Sequence, residues 1–279
     1  MTPCPVLVTG ASSGIGRAVA LRLAARGIPV LAGVRQDADG CRLAEEATGR
    51  LCPLLLDITD PIHLAAAKQA MQELAPNGLG GLVNNAGTSL GGPLEHLPVH
   101  RLREHLEVNI VGHVAVTQIC IDALRRATGR IVFVGSIGGR LSAPYLGPYS
   151  ASKHALAALT DALRRELRAD GMAVSLVEPG AVNTPIWDKA AEEVERTIAD
   201  LPPAGRERYG RPIERVSREL EAARKRAVPP ERVASAIEHA LTARRPHTRY
   251  VIGADARIQA VLARFPDRVV DAVMAKRLG

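Results

Sequence analysis

Short aliphatic runs alternate along the chain with longer stretches whose apolar residues recur at helical spacing. The aliphatic runs predict strands over residues 6–9, 29–33, 51–56, 81–84, 130–134, 173–177 and 249–252. The helical pattern predicts helices over 15–26, 61–74, 99–127, 148–170 and 230–243. Strands that alternate with helices pair in parallel through right-handed crossovers. The pattern therefore predicts an α/β fold, a doubly wound parallel sheet of about seven strands with helices on both faces.

Two regions depart from this alternation. Residues 184–229 are charged, contain no strand pattern and include the pairs Pro202-Pro203 and Pro229-Pro230. Ligands of such sheets bind beyond the carboxyl ends of the strands, so we expect this insertion to be a mobile lid over the substrate rather than a solvated surface excursion. Apolar residues recur at helical spacing through 253–279, which predicts a helical tail packed on the substrate side or on a neighbouring subunit.

Composition fits a single domain over residues 1–279. Hydrophobic residues make up 47% of the chain and aromatic residues only 3%, so the core must rest on aliphatic side chains. The formal net charge of +7 is consistent with arginines on solvated helix faces, some of which could meet a cofactor phosphate. Nucleic-acid binding is disfavoured, because the arginines of 206–226 are interspersed with glutamates and no series of aromatic residues accompanies them.

The cysteines and apolar runs bear on location. The four cysteines form no CxxC pair and have no histidine at metal-ligand spacing, which favours reduced thiols and no metal site. No signal peptide pattern is visible, and no run reaches the ~18 apolar residues of a membrane span. We expect a cytoplasmic protein without a membrane span.

A glycine-rich segment follows the first predicted strand and opens the first predicted helix. Gly10 suits the tight turn that leaves the strand, while Gly14 and Gly16 let a pyrophosphate approach the backbone. The helix N-terminus then offers free N–H groups and partial positive charge to the phosphates. This context predicts a dinucleotide site rather than a plain turn.

A tyrosine and a lysine stand four residues apart on a predicted helix. Tyr149 and Lys153 therefore share a face, and the ammonium is expected to lower the pKa of the phenol from its usual value of about 10. Such a phenol can exchange a proton with an alcohol or a ketone. Ser136, which closes the fifth strand, can donate a hydrogen bond to the substrate oxygen. An ordinary helix pair and an ordinary strand end remain the plainer alternatives.

These motifs together resemble the short-chain dehydrogenase/reductase family across nearly the whole chain. The TGxxxGxG spacing of 9–16, Asn84-Asn85-Ala86-Gly87 and the Ser136, Tyr149 and Lys153 set carry the resemblance. The stretches 139–153 and 177–186 are most similar to the hydroxysteroid and retinol dehydrogenase branch. The resemblance implies a Rossmann-type fold and an NAD(P)-dependent enzyme acting on CH–OH groups. It also implies that Asn109 orders a water in a proton relay from Lys153, and that relatives pair as homodimers or homotetramers.

The resemblance further assigns a cofactor site. The residues implied are Gly10, Ser12, Ser13, Gly14, Ile15, Gly16, Arg35, Asp57, Ile58, Asn85, Ala86, Gly87, Tyr149, Lys153, Pro179, Gly180, Val182 and Thr184. Asp57 would accept a hydrogen bond from the adenine amine, although a helix N-cap is an alternative role, and 84–87 could equally be a turn. Val182 and Thr184 would contact the nicotinamide carboxamide and the phosphates, with hydride transfer from the pro-S face.

The residue at the end of the second strand bears on the choice of cofactor. An acid usually stands there in NAD-preferring sites, whereas this chain has Arg35, which suits a 2′-phosphate together with Ser13. We therefore expect NADP(H) to be preferred over NAD(H). The alternative is that Arg35 covers the adenine ring of NAD.

The substrate is less well defined. Residues that flank the catalytic set are mostly apolar, which favours a small apolar alcohol, ketone or aldehyde. The predicted lining is Ser136, Leu141, Ala143, Tyr145, Leu146, Tyr149, Ile186 and Trp187. A catalytically silent redox sensor usually lacks the Tyr or the Lys, and a sugar-nucleotide epimerase needs a larger C-terminal domain than the residues after Gly253 provide. An NAD-preferring dehydrogenase of the same family remains an alternative.

Overall fold

The computed structural model describes residues 3–278, apart from the side chains of Lys189, Arg277 and Leu278. Its strands form one seven-stranded sheet in the order β3-β2-β1-β4-β5-β6-β7, and every pairing is parallel. The strands are β1 (Val6–Thr9), β2 (Val30–Val34), β3 (Leu51–Leu55), β4 (Gly81–Asn84), β5 (Arg130–Val134), β6 (Val174–Pro179) and β7 (Arg249–Ile252). The strand order reverses beside β1, which is where ligands bind in doubly wound sheets.

Helices connect the strands. They are α1 (Gly14–Ala25), α2 (Asp37–Glu46), α3 (Pro61–Leu74), α4 (Val99–Leu106), α5 (Gly112–Ala127), α6 (Gly147–Glu166), α7 (Ile186–Asp200), α8 (Pro203–Lys225), α9 (Pro230–Thr242), α10 (Ala254–Leu262) and α11 (Asp267–Leu278). A π-helical segment, Glu107–Val111, joins α4 to α5, and a short 3₁₀ turn, Ile137–Gly139, follows β5.

The sheet is buried on both faces because side chains alternate along each strand. In β1, Val6 and Val8 belong to one hydrophobic cluster and Leu7 to the other. Helices α1 and α9 cover the first face, and α3, α5 and α6 cover the second. The doubly wound parallel fold predicted from the sequence is therefore confirmed.

The predicted boundaries of the strands and of most helices hold to within two residues, whereas α6 ends at Glu166, four residues before its predicted end. The segment 37–46 was not predicted, although it forms α2, because Leu43 is its only large buried apolar side chain. The insertion 184–229, whose backbone is described throughout, contains no strand, as expected, and consists largely of the two helices α7 and α8. The tail is helical, as its apolar spacing predicts.

One helical stretch departs from the expectation about membrane spans. Within the described residues, Val99–Ala127 is long and apolar enough to cross a membrane by length and composition, with a hydropathy of 1.2. A core helix passes the same test, and this stretch packs against β4, α3 and α6. An unbroken apolar run does not mark this stretch, because helical spacing spreads its apolar residues among polar ones. Its contacts are those of a core helix, and the absence of a membrane span stays a prediction.

Candidate active site

The segment 9–16, called the glycine loop, leaves β1 in a conformation that favours glycine. Gly10 and Gly14 have φ angles of +64° and +55°, in the left-handed region. A Cβ on Gly16 would lie 2.2 Å from the carbonyl oxygen of Gly10, so no side chain fits there. The loop therefore presents bare backbone at the N-terminus of α1, where a pyrophosphate could bind.

The segment 84–87, called the NNAG loop, is hydrogen-bonded to the glycine loop. The hydroxyl of Thr9 accepts the backbone N–H groups of Asn85 and Ala86, at 2.9 and 3.1 Å. The side-chain amide of Asn85 donates to the carbonyl oxygens of Thr9 and Gly10, at 2.9 and 3.2 Å. These bonds fix the two loops against each other along the carboxyl edge of β1 and β4.

Two charged side chains lie at the far end of this edge. Arg35 follows β2 directly and is exposed. Burial raises the pKa of Asp57, but hydrogen bonds from Thr59 and the charge of Arg35 outweigh it, so the pKa lies below its usual value. The Asp57 carboxylate accepts from the N–H and hydroxyl of Thr59, while Asp60 caps α3 by accepting from the N–H of Ile62. The N-cap of α3 is therefore Asp60 and not Asp57, for which this role was the alternative.

The neighbouring Ile58 has a core position. It is 4% exposed, and a Cβ on Gly112 would lie 2.7 Å from its Cγ1. Its side chain therefore packs under α5, so that any contact with an adenine would come from its backbone or side-chain edge.

The segment 180–184, called the clamp loop, follows β6 and crosses back to the glycine loop. A Cβ on Gly14 would lie 3.1 Å from the Cβ of Thr184, so the two loops touch. Val182 is buried, and its carbonyl oxygen accepts from the indole N–H of Trp187 at 2.7 Å. The clamp loop therefore completes a cleft bordered by the glycine loop and the NNAG loop.

The hydroxyls and the ammonium predicted to act in catalysis meet beside this cleft. The Ser136 hydroxyl hydrogen-bonds the phenol of Tyr149 and accepts from the N–H of Gly138 at 3.1 Å. Lys153 Nζ lies 5.7 Å from the centroid of the Tyr149 ring and donates to the carbonyl oxygen of Val134 at 3.1 Å. The strand end and one face of α6 thus converge, as the i, i+4 spacing predicts.

The pKa of the Tyr149 phenol is not lowered, contrary to the expectation from its spacing to Lys153. Burial raises the pKa of Tyr149, and the hydrogen bond from Ser136 only partly opposes this. Burial also lowers the pKa of Lys153, to about 8. The Lys153 ammonium, which lies over the ring and donates to the carbonyl oxygen of Val134, does not offset the burial of the phenol.

Asn109 stands in the π-helical segment and is fully buried. Its carbonyl oxygen accepts the N–H of Thr88 at 2.8 Å. Its amide nitrogen lies within 3.2 Å of three acceptors, the carbonyl of Thr88, Nε2 of His105 and the hydroxyl of Ser152. A π-helical turn contains one residue more than an α-helical turn, and such turns are frequent at functional sites.

His105 and Thr88 belong to this cluster, and sequence reasoning missed both. His105 Nδ1 lies 3.1 Å from the hydroxyl of Thr88, and its ring centroid lies 6.5 Å from that of Tyr149. Burial, with the charge of Lys153, lowers the pKa of His105 to about 4, so the imidazole is neutral near pH 7. The only signal in the sequence was the i, i+4 spacing of His105 and Asn109.

The predicted substrate-lining residues near the catalytic set differ in exposure. Leu141 is buried, Ala143, Tyr145, Leu146 and Trp187 are half-buried, and Ile186 is exposed. Tyr145 has a φ of +65°, and its carbonyl oxygen accepts from the N–H of Gly92 at 2.7 Å. Its ring meets that of Tyr209 edge-on, with centroids 6.2 Å apart, so α8 reaches this side of the site.

A parallel sheet with a bare-backbone cradle at its switch point can bind a dinucleotide, and the Tyr–Lys pair beside it can exchange a proton, which together fit an NAD(P)-dependent oxidoreductase. The sequence profile of the family described as short chain dehydrogenase matches residues 5–195. The chain belongs to the short-chain dehydrogenase/reductase family, whose members act on alcohols and carbonyls, and it is an oxidoreductase of that kind.

Individual relatives cover almost all of the chain. It is 34% identical to NADPH-dependent 3-dehydrocapnine reductase of Ornithobacterium rhinotracheale, over 98% of this chain and 96% of that protein. It is 39% identical to retinol dehydrogenase 5 of Mus musculus, over 96% and 87%. Among solved structures, a short chain dehydrogenase from Burkholderia cenocepacia in complex with NADP superposes with a TM-score of 0.72 at 26% identity, covering 99% of this chain and 98% of the other.

Proposed function

We propose that this protein is an NADP(H)-dependent oxidoreductase that transfers a hydride between nicotinamide and an apolar secondary alcohol, ketone or aldehyde, with Tyr149 as the acid/base. The observation that carries the proposal is the convergence of Tyr149, Ser136 and Lys153 beside the glycine loop. Nicotinamide, when bound, supplies the hydride donor or acceptor. The protein's part is to hold the carbonyl oxygen and to move its proton.

Ser136 and Tyr149 act on the substrate oxygen. Ser136 Oγ accepts from Gly138, which orients its hydroxyl, and its one proton, which bonds the Tyr149 phenol in the free protein, would turn to the substrate oxygen as negative charge develops there. The raised pKa of Tyr149 keeps the phenol protonated near pH 7, so it is ready to give a proton to a carbonyl. By the family resemblance, Lys153 would hold the ribose hydroxyls, and Asn109 would order a water that returns a proton from solvent.

The cofactor preference follows from Arg35. Its guanidinium is exposed at the end of β2, close enough to Asp57 for its charge to lower the pKa of that carboxyl. A planar guanidinium suits a 2′-phosphate, and Ser13 stands exposed at the start of α1. The NADPH-dependent relative and the NADP-bound structure support the same preference.

The substrate class follows from the apolar lining and from the names of relatives. Leu141, Tyr145, Leu146 and Trp187 border the mouth of the cleft, and α7 and α8 would serve as its lid. Relatives named for retinol and for 17-beta-hydroxysteroids support an apolar alcohol or ketone. A cytoplasmic homodimer or homotetramer is the assembly that the family resemblance favours.

Replacing Tyr149 by Phe tests the proposal. We expect the variant to bind NADPH with nearly unchanged affinity, because the ring remains, and to lose at least about a hundredfold in kcat, because the proton donor is gone. NADPH binding is measured by fluorescence titration, and turnover with a panel of apolar ketones. Tyr250→Phe removes a phenol from β7, away from the cleft, and should keep full activity. Normal turnover by Tyr149→Phe, or no turnover of any carbonyl by the wild type, contradicts the proposal.

A further inference from the structure

The C-terminal segment lies against the cleft. Helix α10 begins directly after β7, where Gly253 adopts a φ of +111° that turns the chain. The helix packs on β7 and on the 3₁₀ turn Ile137–Gly139, which follows Ser136. The first turn of α10 therefore borders the clamp loop and the turn that holds the substrate-binding serine.

One carboxylate makes the contact with the clamp loop. Asp255 Oδ2 accepts the backbone N–H of Ala181 at 2.8 Å. A Cβ on Gly180 would lie 2.1 Å from the same oxygen, so the carboxylate occupies the place that any side chain at position 180 would take. Glycine at position 180 therefore leaves room for the Asp255 carboxylate. The sequence around either residue does not indicate this contact.

The rest of the clamp loop is bonded on both sides. The N–H of Gly180 donates to the carbonyl oxygen of Ile252, and residues 181 and 183 bond to the backbone of Val228, each at 2.9 Å. Asp255 adds a side-chain bond to these backbone contacts at the point where the chain leaves β6, whereas the indole of Trp187 bonds the loop further along, at Val182. Its carboxylate fixes the direction in which the loop runs toward Thr184 and Gly14.

A simpler role for Asp255 would be to stabilise its own helix. An acid in the first turn is favourable to the helix dipole. However, the Asp255 oxygen is bonded to an N–H of another element, and the N-cap of α10 has no side-chain bond. The contact with Ala181 is therefore more than helix capping.

We propose that Asp255 is a positioning residue, which fixes the clamp loop so that it grips the nicotinamide half of the cofactor. This inference rests on the proposed use of NADP(H). The role can be distinguished from general damage to the protein. Loss of Asp255 should weaken binding of the nicotinamide half of the cofactor, whereas binding of the adenosine half, near Arg35, should not change.

The experiment compares two ligands on the full-length chain. In Asp255→Ala we expect the Kd of NADPH to rise roughly tenfold, as for loss of a hydrogen bond to a charged group, while the Kd of adenosine 2′,5′-bisphosphate stays within about twofold. Asp255→Asn keeps an acceptor oxygen and should restore most of the NADPH affinity. Asp267→Ala removes an exposed acid from the first turn of α11 and is the matched control, with both affinities unchanged.

A second route perturbs the same contact. Gly180→Ala places a methyl group against the Asp255 carboxylate and should weaken NADPH binding to a similar degree. Combining it with Asp255→Ala removes the clash, so the double variant should bind NADPH no more weakly than Asp255→Ala alone. Should Asp255→Ala lose its native thermal transition, Gly180→Ala alone carries the test.

The outcomes separate the two proposals. Wild-type protein that binds neither ligand refutes the proposed cofactor use. Wild-type binding of both ligands, with folded variants that match it or that lose both affinities equally, overturns the role of Asp255 alone.

Discussion

At the scale of single residues, burial sets the chemistry of the Tyr149 and Lys153 pair. The pKa of Tyr149 is raised and that of Lys153 is lowered to about 8, so both groups are biased toward their neutral forms. A protonated phenol suits the reduction of a carbonyl, because that direction needs a proton donor. The phenol of the free protein is therefore protonated near neutral pH, as a proton donor must be.

Arg35 gives the first prediction at this scale. Arg35→Asp removes the group that would pair with a 2′-phosphate and supplies a carboxylate that can accept from a ribose 2′-OH. We expect kcat/KM for NADPH to fall roughly tenfold to a hundredfold and the preference to shift toward NADH. Initial rates with both cofactors measure this.

The matched control for Arg35 makes the same charge change elsewhere. Arg50 is exposed just before β3, at the amino edge of the sheet, so Arg50→Asp should leave the cofactor preference unchanged. If Arg35→Asp also kept its preference for NADPH, another residue would have to bind the 2′-phosphate.

Local spacing predicts single residues well only where their partners are near in sequence. Tyr149 and Lys153 follow from one helical turn, and the glycine loop from its place between β1 and α1. The contact between Asp255 and Ala181 spans 74 positions, and the one between His105 and Thr88 spans 17. These pairs depend on how the finished sheet brings loops together, which no spacing rule reports.

At the scale of elements, the sequence predicts those that bury an apolar face. The seven strands and the core helices were predicted because aliphatic side chains recur along them. Helix α2 was missed because it buries little beyond Leu43, and α7 has no fully buried side chain among those described. Such helices are held at their ends and by ion pairs, such as that between Arg101 and Glu193, rather than by a continuous apolar stripe.

A buried ion-pair network joins three elements next to the cleft. Glu178, at the end of β6, is fully buried and bonds to Arg140, which follows the turn after Ser136, and to Arg249 on β7. Arg249 also pairs with Asp161 on α6 at 2.8 Å. The network therefore ties the substrate-binding turn to the sheet.

Removing one member of this network should be costly. Arg140→Met leaves part of the buried Glu178 carboxylate unpaired, so we expect the free energy of unfolding to fall by about 3 kcal/mol. Arg164→Met removes a cation whose one ion pair among the described side chains is with Asp161, at the outer end of the network, and should cost less than about 1 kcal/mol. Urea denaturation measures both. Equal effects of the two variants would show that burial of Glu178 does not set the cost.

At the scale of the whole molecule, a band of buried polar groups runs under the carboxyl edge of the sheet. Thr9, Asn84, Asn109, His113 and Lys153 are all at most 6% exposed. Most are bonded to backbone or to other side chains. Within the described residues, Oδ1 of Asn84 and both ring nitrogens of His113 lack a well-formed hydrogen bond, although the backbone of Ala86 lies close enough to His113 to act on its pKa. The fold therefore places groups beneath its active site that are sensitive to protonation.

The buried His113 makes the free energy of unfolding of the whole protein depend on pH. Burial, with the charge of Lys153, lowers its pKa to about 3, against a usual value near 6.5. The unfolded chain thus binds more protons between these two pH values, so stability is complete above about pH 6.5 and falls as the pH drops toward 3. His105, with a pKa of about 4, acts in the same direction over a narrower range.

His113→Phe tests this dependence, because it keeps a ring against Phe133, whose centroid lies 6.3 Å away, and removes both nitrogens. Between pH 7 and pH 4.5 we expect the wild type to lose on the order of 2 kcal/mol more unfolding free energy than the variant. Urea denaturation at a series of pH values measures the difference, with His100→Phe, at an exposed site, as the control. Parallel curves for wild type and His113→Phe would mean that water or a neighbouring group stabilises the protonated ring. Burial of the His113 imidazole would then not be what destabilises the protein at acid pH.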